Sequence, residues 1–335
     1  MDLDKDDLNT IYKLFENKLL SDEEIANLIL LWKEKSETSL EISTLANLIN
    51  STQGQITKYP DAIDVCGTGG DKLNTFNIST IAAIVTSSLG LQTIKHSGRS
   101  NTSISGSVDI LSEFNVNLDT EEEEKKEHCF KKHNLMFVSS KKLRDIFSDV
   151  KRISKKLNKP SFVNLLGPLT NPYKTSFHLL GVSNIKWGEL LAKVLIESET
   201  KKENFFIVCS EISSDTYLDE LSLSGTNHLW EKSGSTNVRK IELAPKELGL
   251  EQTDINNLKI KDQKENKLVF ENILKGKVDS KKIEDCINVV ALNVGATTYL
   301  LKKVHSIKEG YILALKHIQT GTCWEHFQEF INSSK

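Results

Sequence analysis

Glycine is concentrated in one short part of this chain. Six of the 17 glycines lie between residues 67 and 106, whereas residues 1–66 contain only Gly54. Three of the six come directly after the apolar run Ala62–Cys66, which predicts a buried strand that ends in a loop of bare backbone. A strand that continues through such a loop into a helix is typical of α/β domains whose loops bind ligands.

The rest of the chain also alternates between strand and helix patterns. After the glycine-rich loop, the apolar periodicity predicts these segments in order: a helix over Ile78–Leu89, a strand over Leu91–Ile94, a strand over Leu135–Val138, a helix over Asp145–Leu157 and a strand over Phe205–Cys209. This alternation predicts an α/β fold with a substantially parallel sheet.

The first 50 residues have a different, purely helical pattern. Three short amphipathic stretches follow one another, and Ser21 with Glu24 forms the capping box that begins the second. Such a unit is too small to bury a core alone, so we expect it to pack on later segments or on another subunit. The proline-rich segment Gly167–Pro172 predicts a rigid turn that acts as a hinge between the two units.

Composition excludes several classes of protein. The 43 basic and 46 acidic residues give a net charge of −3, which provides no bulk attraction to nucleic acid or anionic lipid. No run approaches the roughly 18 apolar residues of a membrane-spanning helix, and the N-terminus is acidic, so we expect a cytoplasmic protein. Five widely spaced cysteines contain no CxxC pair, which argues against a zinc knuckle or redox motif and favours buried thiols.

The first glycine-rich loop has the properties of a phosphate cradle. Residues 64–80 read DVCGTGGDKLNTFNIST, in which the run Asn77–Thr80 is placed to cap the next helix and to direct its free N–H groups at an anion. The segment matches neither the Walker sequence nor GxGxxG. A tight strand-to-helix turn without a ligand remains the alternative.

A second loop with anion-binding chemistry follows the second predicted strand. Residues 95–109 read KHSGRSNTSISGSVD and offer the cations Lys95, His96 and Arg99 together with six hydroxyl groups. Charge combined with hydroxyl and amide donors suits a polyphosphate. Because the carboxyl ends of parallel strands meet at one edge of the sheet, two such loops favour a binding site over a flexible polar surface.

Five motifs occur together in a characteristic order: GTGGD at 67–71, TFNIST at 75–80, KHxxR with SxSGSxD within 95–109, GPLTNP at 167–172 and LDELS at 218–222. With these motifs the chain resembles the anthranilate phosphoribosyltransferase family. The resemblance implies a nucleoside phosphorylase or phosphoribosyltransferase type of fold, with a helical domain at 1–60, helices near 160–190 packing on it, and an α/β domain with a mixed, largely parallel sheet at 61–335. It also implies a homodimer formed through the helical domain.

The resemblance further implies the reaction and its site. The family transfers phosphoribosyl from phosphoribosyl pyrophosphate (PRPP) to anthranilate, an aromatic amine of tryptophan biosynthesis, and releases pyrophosphate with magnesium as cofactor. Carried over by position, the catalytic residues are Lys95 and Arg99. Those that bind PRPP are Gly67, Gly70, Asp71, Thr75, Asn77, Ile78, Ser79, Thr80, Lys95, Arg99, Ser103 and Ser107, and those that hold two magnesium ions are Ser79, Asp219 and Glu220. Carboxylates suit magnesium, and a positioned amine needs no strong general base.

The acceptor side departs from the family pattern. Gly98 stands where relatives have an asparagine that contacts anthranilate, and Pro160 stands where they have an arginine that faces its carboxylate. A third patch, which is His-His-Pro-Ala-Met-Lys in relatives, is replaced by a segment that contains Arg144. Either Arg144, Lys159 or Arg152 supplies the missing charge, or the acceptor has changed or activity has been lost. We expect a PRPP-dependent transferase of altered acceptor preference, with anthranilate as the default acceptor because no other acceptor is indicated.

Two other functions remain as alternatives. A non-catalytic relative could bind nucleic acid through the basic residues Lys151, Arg152, Lys155, Lys156 and Lys159, although such a stripe on an amphipathic helix is usually a solvated face. The pyrimidine nucleoside phosphorylases share the fold, but GTGGD with TFNIST and GPLTNP argues against them. We therefore expect PRPP and a small aromatic acceptor as partners, and neither membrane nor nucleic acid.

Overall fold

The computed structural model describes residues 2–53, 57–98, 104–116, 118, 123–139, 141–197 and 202–334. The α-helices are α1 (Lys5–Glu16), α2 (Asp22–Lys35), α3 (Ser39–Ser51), α4 (Ile78–Ser88), α5 (Ser107–Ser112), α6 (Glu123–His133), α7 (Lys141–Lys156), α8 (Phe162–Leu166), α9 (Ile185–Glu197), α10 (Gln263–Leu274), α11 (Lys281–Leu300), α12 (Ile307–Gln319) and α13 (Thr322–Ser334). Short 3-10 helices lie at Gly167–Leu169, Pro245–Leu248 and Ile255–Leu258.

Eight strands of the described residues form one mixed sheet. They are β1 (Lys58–Gly67), β2 (Thr93–Ser97), β3 (Leu135–Ser139), β4 (Lys174–Gly181), β5 (Asn204–Ser213), β6 (Thr216–Leu218), β7 (Thr226–Ser233) and β8 (Arg239–Leu243). Their spatial order is β3-β2-β1-β4-β5-β7-β8, with β6 paired to β5. Strands β1 to β5 are parallel, whereas β6, β7 and β8 join in antiparallel pairs. The prediction of an α/β fold with a largely parallel sheet is confirmed.

The second strand differs from its prediction. It spans Thr93–Ser97 instead of Leu91–Ile94, and it pairs along its whole length with β3, from Thr93 opposite Leu135 to Ser97 opposite Ser139. The apolar pattern stops at Ile94 because the next three residues are polar, yet all three are buried. Lys95 and His96 therefore lie within a central strand and not in the loop that follows it.

The N-terminal helices pack against a later part of the chain. Their apolar faces share one buried cluster with α7, α8 and α9, which includes Phe15, Trp32 and Phe162. The ring centroids of Trp32 and Phe162 are 4.3 Å apart. The predicted capping box is present, because Ser21 Oγ accepts from Glu24 N and Glu24 Oε2 accepts from Ser21 N. Helix α9 of this cluster contacts both α3 and the strands β5 and β7, so it joins the helical unit to the sheet.

The segment that begins with Gly167 connects these layers. Asn171 Nδ2 donates to Asp64 Oδ2 of β1 at 2.8 Å, and Asn50 Nδ2 of α3 donates to the Leu169 carbonyl at 3.1 Å. It thus contacts both the sheet and the helical unit; its role as a hinge stays a prediction.

Composition-based expectations can be compared with the same structure. All five cysteines are buried and have free thiols. No α-helix in the described ranges has the length and apolar character that a membrane span requires.

Candidate active site

One cavity of about 450 Å³ lies at the carboxyl edge of the parallel strands. The ends of three neighbouring strands reach it through Gly67, Ser97 and Ser139. One wall consists of the two glycine-rich loops and the start of α4, and a second wall consists of α7 and α8, whose Asn164 donates to the Thr68 carbonyl of the first loop at 3.0 Å. The residues of the sequence prediction that line it are Gly67, Gly70, Asp71, Thr75, Asn77, Ile78, Ser79, Lys95, Gly98, Ser107, Arg144, Asp219 and Glu220.

Glycine is needed where the first loop meets Asp219. The backbone N–H of Gly69 donates to Asp219 Oδ2 at 2.8 Å. A Cβ atom added to Gly67 would lie 2.9 Å from the same carboxylate oxygen, and one added to Gly181 would lie 1.7 Å from the Asp219 carbonyl oxygen. Gly70 has a φ of +94°, which side-chain-bearing residues rarely adopt. Bare backbone therefore allows the loop and the carboxylate to approach each other.

The N-terminus of α4 faces the cavity without a side-chain cap. Asn77 precedes the helix, but its side chain forms no capping hydrogen bond, which corrects the expectation that this residue caps α4. Its amide instead donates to the Ser105 carbonyl at 3.2 Å and accepts from Asn266 at 2.7 Å, so it links the two loops to α10. No side chain at the N-cap position bonds to the first turn, although the Ser79 N–H of that turn donates to Glu220 Oε1; a helix N-terminus of this kind attracts anions.

Lys95 is the buried cation of the site. Its Nζ atom donates to the Val65 carbonyl and to Ser79 Oγ, each at 3.0 Å. Burial lowers the pKa of Lys95, and the nearby Glu220 carboxylate opposes this effect. The ammonium group thus lies beside the first turn of α4, where an anion would bind.

Three carboxyl groups, those of Asp71, Asp219 and Glu220, lie near one another in the cavity, and the charges of Asp219 and Glu220 act on Lys95. Burial raises the pKa of Glu220 to about 8, with a further contribution from the charge of Asp219. Burial also raises the pKa of Asp219, and burial together with Asp219 raises that of Asp71 well above its usual range. Glu220 Oε1 accepts from the Ser79 N–H at 3.2 Å. Crowded oxygen ligands that hold protons in this way match the hard donor set of a magnesium site.

The second wall carries two cations of α7. Arg144 lines the cavity, and its Nη1 atom donates to Ser139 Oγ at 3.1 Å. Lys151 lines the cavity too, although in the sequence it belongs to a stripe that reads as solvated. His96 lies on the floor, where burial lowers its pKa to about 4, and it is therefore neutral near pH 7.

Several predicted residues lie away from the cavity surface. Thr80 does not line the cavity, and its hydroxyl donates to Ser107 Oγ at 3.0 Å. Pro160 does not line it either, and lies behind the first loop, 4.0 Å from where a Cβ on Gly70 would be. Arg99 and Ser103 lie outside the described residues.

Two of the three candidates for a replacement charge also do not line the cavity. Arg152 forms a double hydrogen bond with Asp22 of α2, at 2.7 and 2.6 Å, and Lys159 is exposed. Of the three, Arg144 alone lines the cavity in the described part of the chain.

Comparison with known proteins identifies relatives over almost the whole chain. The glycosyl transferase family, a/b domain, matches residues 59–324. The anthranilate phosphoribosyltransferase of Staphylococcus epidermidis is 32% identical over 96% of this chain and 98% of its own length. That of Staphylococcus aureus is 33% identical over 84% of this chain and 82% of its own length.

Solved structures with the same fold come from the same family as the sequence relatives. The anthranilate phosphoribosyltransferase of Thermus thermophilus superposes with a TM-score of 0.83 at 26% identity, covering 100% of this chain and 96% of that one. The enzyme of Saccharomyces cerevisiae, solved with PRPP and magnesium, shares the fold with a TM-score of 0.82 at 24% identity, covering 98% of this chain and 92% of that one. The chain belongs to the anthranilate phosphoribosyltransferase family and is a glycosyltransferase of the phosphoribosyltransferase type.

Proposed function

We propose that this protein catalyses the magnesium-dependent transfer of phosphoribosyl from PRPP to anthranilate, with release of pyrophosphate. The observation that carries the proposal is the convergence of the N-terminus of α4, the buried Lys95 and the Asp219–Glu220 carboxylates in one cavity. The yeast enzyme that shares this fold binds PRPP and magnesium.

The residues of the first wall would act on the leaving group. As the C1–O bond to pyrophosphate breaks, its electron pair leaves with pyrophosphate, and positive charge develops on the ribosyl carbon. Lys95 and the N–H groups at the start of α4 stabilise the departing negative charge. The acceptor amine forms the new C1–N bond with its lone pair and releases a proton to solvent or pyrophosphate. The residues of this wall thus need to stabilise the charge on pyrophosphate and to orient PRPP and the acceptor amine.

Asp219, Glu220 and Ser79 are the residues that would hold magnesium, and two ions would account for both carboxylates. When bound, magnesium would neutralise negative charge on the departing pyrophosphate. The raised pKa values of Asp219 and Glu220 support this assignment, because a cation would relieve the like-charge repulsion between them.

The acceptor follows from the relatives. Those at 32 to 33% identity are anthranilate phosphoribosyltransferases, and anthranilate is the acceptor we propose. A different acceptor is the second candidate, because Gly98 offers no side chain and Pro160 lies off the cavity. Nucleic-acid binding is less favoured, since Arg152 and Lys156 of the basic stripe pair with Asp22.

The test is an assay of transfer. Purified protein with PRPP, magnesium and anthranilate should consume anthranilate, measured by its fluorescence, and should release an equal amount of pyrophosphate. Omission of PRPP should abolish both changes. A control reaction with phosphate and uridine or thymidine should release no free base. Phosphorolysis of a nucleoside without PRPP-dependent transfer would contradict the proposal.

A further inference from the structure

Helix α7 places two positive charges at the second wall of the cavity. Arg144 and Lys151 lie seven residues apart, on either side of a kink at Phe147, and both line the cavity. Burial lowers the pKa of Lys151, and the charge of Arg144 lowers it further. Like charges in a partly buried wall are unfavourable unless a negative group binds between them.

Lys151 has no such group among the residues that the structure describes. It is half-buried, and its Nζ atom takes part in no hydrogen bond or ion pair with them. The other members of the basic stripe are different: Arg152 and Lys156 pair with Asp22, and Lys155 and Lys159 are exposed. A half-buried ammonium without a partner, facing a cavity, indicates that the missing partner is a ligand.

The surroundings of Lys151 suit an aromatic acid better than a phosphate. Leu143, Val163 and Pro168 also line the cavity and provide apolar surface for a ring. The imidazole of His96 is neutral, and the charge of Lys151 contributes to its lowered pKa, which indicates that the two groups are near each other. By contrast, the carboxylates Asp219 and Glu220 accept from the backbone N–H groups of Gly69 and Ser79, in the first wall, whereas Lys151 belongs to α7.

We propose that Lys151, with Arg144, binds the carboxylate of the aromatic amine acceptor and sets the preference of this enzyme for an acidic acceptor. The inference rests on the proposed function, because it assigns the acceptor half of the same cavity. It also explains how Pro160 is tolerated. Two cations of α7 supply the charge that proline cannot, and the carboxylate holds the amine toward the ribosyl carbon.

The experiment compares Lys151→Met and Arg144→Gln with the control Lys155→Met, which removes an exposed lysine one turn further along α7. Steady-state kinetics would give separate KM values for anthranilate and PRPP, and aniline would serve as the acceptor without a carboxylate. A charged hydrogen bond of the usual strength predicts that Lys151→Met raises KM for anthranilate about 10- to 100-fold. KM for PRPP and turnover of aniline should stay unchanged, and Lys151→Arg should restore much of the loss.

The outcomes separate this inference from the proposed function. An unchanged KM for anthranilate in Lys151→Met, or an equal rise in KM for PRPP, would overturn the acceptor assignment while leaving transferase activity established. If the wild type binds PRPP with magnesium but not anthranilate, the acceptor assignment is also wrong. If calorimetry detects no PRPP binding to the wild type, the proposed function itself fails.

Discussion

Substitution of Lys95 should have a large effect on activity. We expect Lys95→Gln to lower kcat/KM for PRPP by about 100- to 1,000-fold, the usual effect of removing one preorganised charge donor. The physical reason is the position of its ammonium group between the Val65 carbonyl and Ser79 Oγ, beside the first turn of α4. Steady-state kinetics at saturating anthranilate would measure the change. The control is Lys174→Gln, an exposed lysine at the start of β4, and an equal loss in both variants would contradict the assignment.

The raised pKa of Glu220 predicts that the effect of magnesium on stability depends on pH. Its pKa rises from 4.5 in the unfolded chain to about 8 in the folded protein, so the folded state binds this proton more tightly. The corresponding contribution to stability is complete below about pH 4.5 and is lost as pH rises through about 8. Magnesium competes with that proton, and we therefore expect it to raise the Tm more at about pH 8 than at about pH 6.

Differential scanning fluorimetry of the wild type and Glu220→Gln would measure this difference. In the variant, the titrating group is gone, and the Tm increase with magnesium should be smaller and should vary less with pH. A magnesium effect that is independent of pH in the wild type would count against Glu220 as a ligand.

Individual side chains were the hardest features to predict. The motifs predicted most of the residues that line the first wall, because their positions could be carried over from the family that the motifs resemble. Lys151 was missed, since five basic residues within nine positions resemble a solvated helix face. Only the packing of α7 against α2 reveals which of them turn inward: Arg152 pairs with Asp22, and Lys151 faces the cavity.

At the level of elements, Gly181, where β4 ends beside Asp219, should tolerate no side chain. We expect Gly181→Ala to abolish magnesium-dependent PRPP binding and to destabilise the protein by about 1–3 kcal/mol or more, the usual cost of overpacking. The reason is steric, because the new Cβ would lie 1.7 Å from the backbone oxygen of Asp219 and would push the carboxylates away.

Urea unfolding and calorimetry would measure both effects. Gly167→Ala is the matched control: its Cβ would have nothing within 4 Å, and its φ of −47° suits alanine. We expect that control to change stability by no more than about 0.5 kcal/mol. Full PRPP binding by Gly181→Ala would show that the position of Asp219 does not matter.

Elements were predicted well where apolar periodicity was clear and poorly where polar residues are buried. The strand before Gly67 and the helix from Ile78 follow from their apolar runs. The end of β2 did not follow in this way, because the buried residues Lys95 and His96 are polar and interrupt the apolar pattern. The antiparallel strands β6 to β8 were not predicted either; β8 is largely exposed and carries little apolar signal.

For the whole molecule, we propose a homodimer formed through the N-terminal helices. Two leucines of that unit are strongly exposed, Leu19 at 67% and Leu31 at 61%. Light scattering should give twice the 37.7 kDa of one chain. We expect Leu31→Glu to weaken the dimer, because it would place a charge in an apolar interface. Leu268→Glu, which changes a leucine of α10 that is 58% exposed, is the control and should leave the mass unchanged. A monomer in the wild type would contradict this assignment.

The central claim is that the cavity binds PRPP through magnesium, and calorimetry tests it most directly. PRPP is titrated into the wild type with magnesium, without magnesium, and into the double variant Asp219→Asn/Glu220→Gln. We predict binding with a stoichiometry of about one per chain when magnesium is present, and weak or undetectable binding in the other two titrations. No heat of PRPP binding to a folded wild type in the presence of magnesium would contradict the assignment of this site and the transferase function that depends on it.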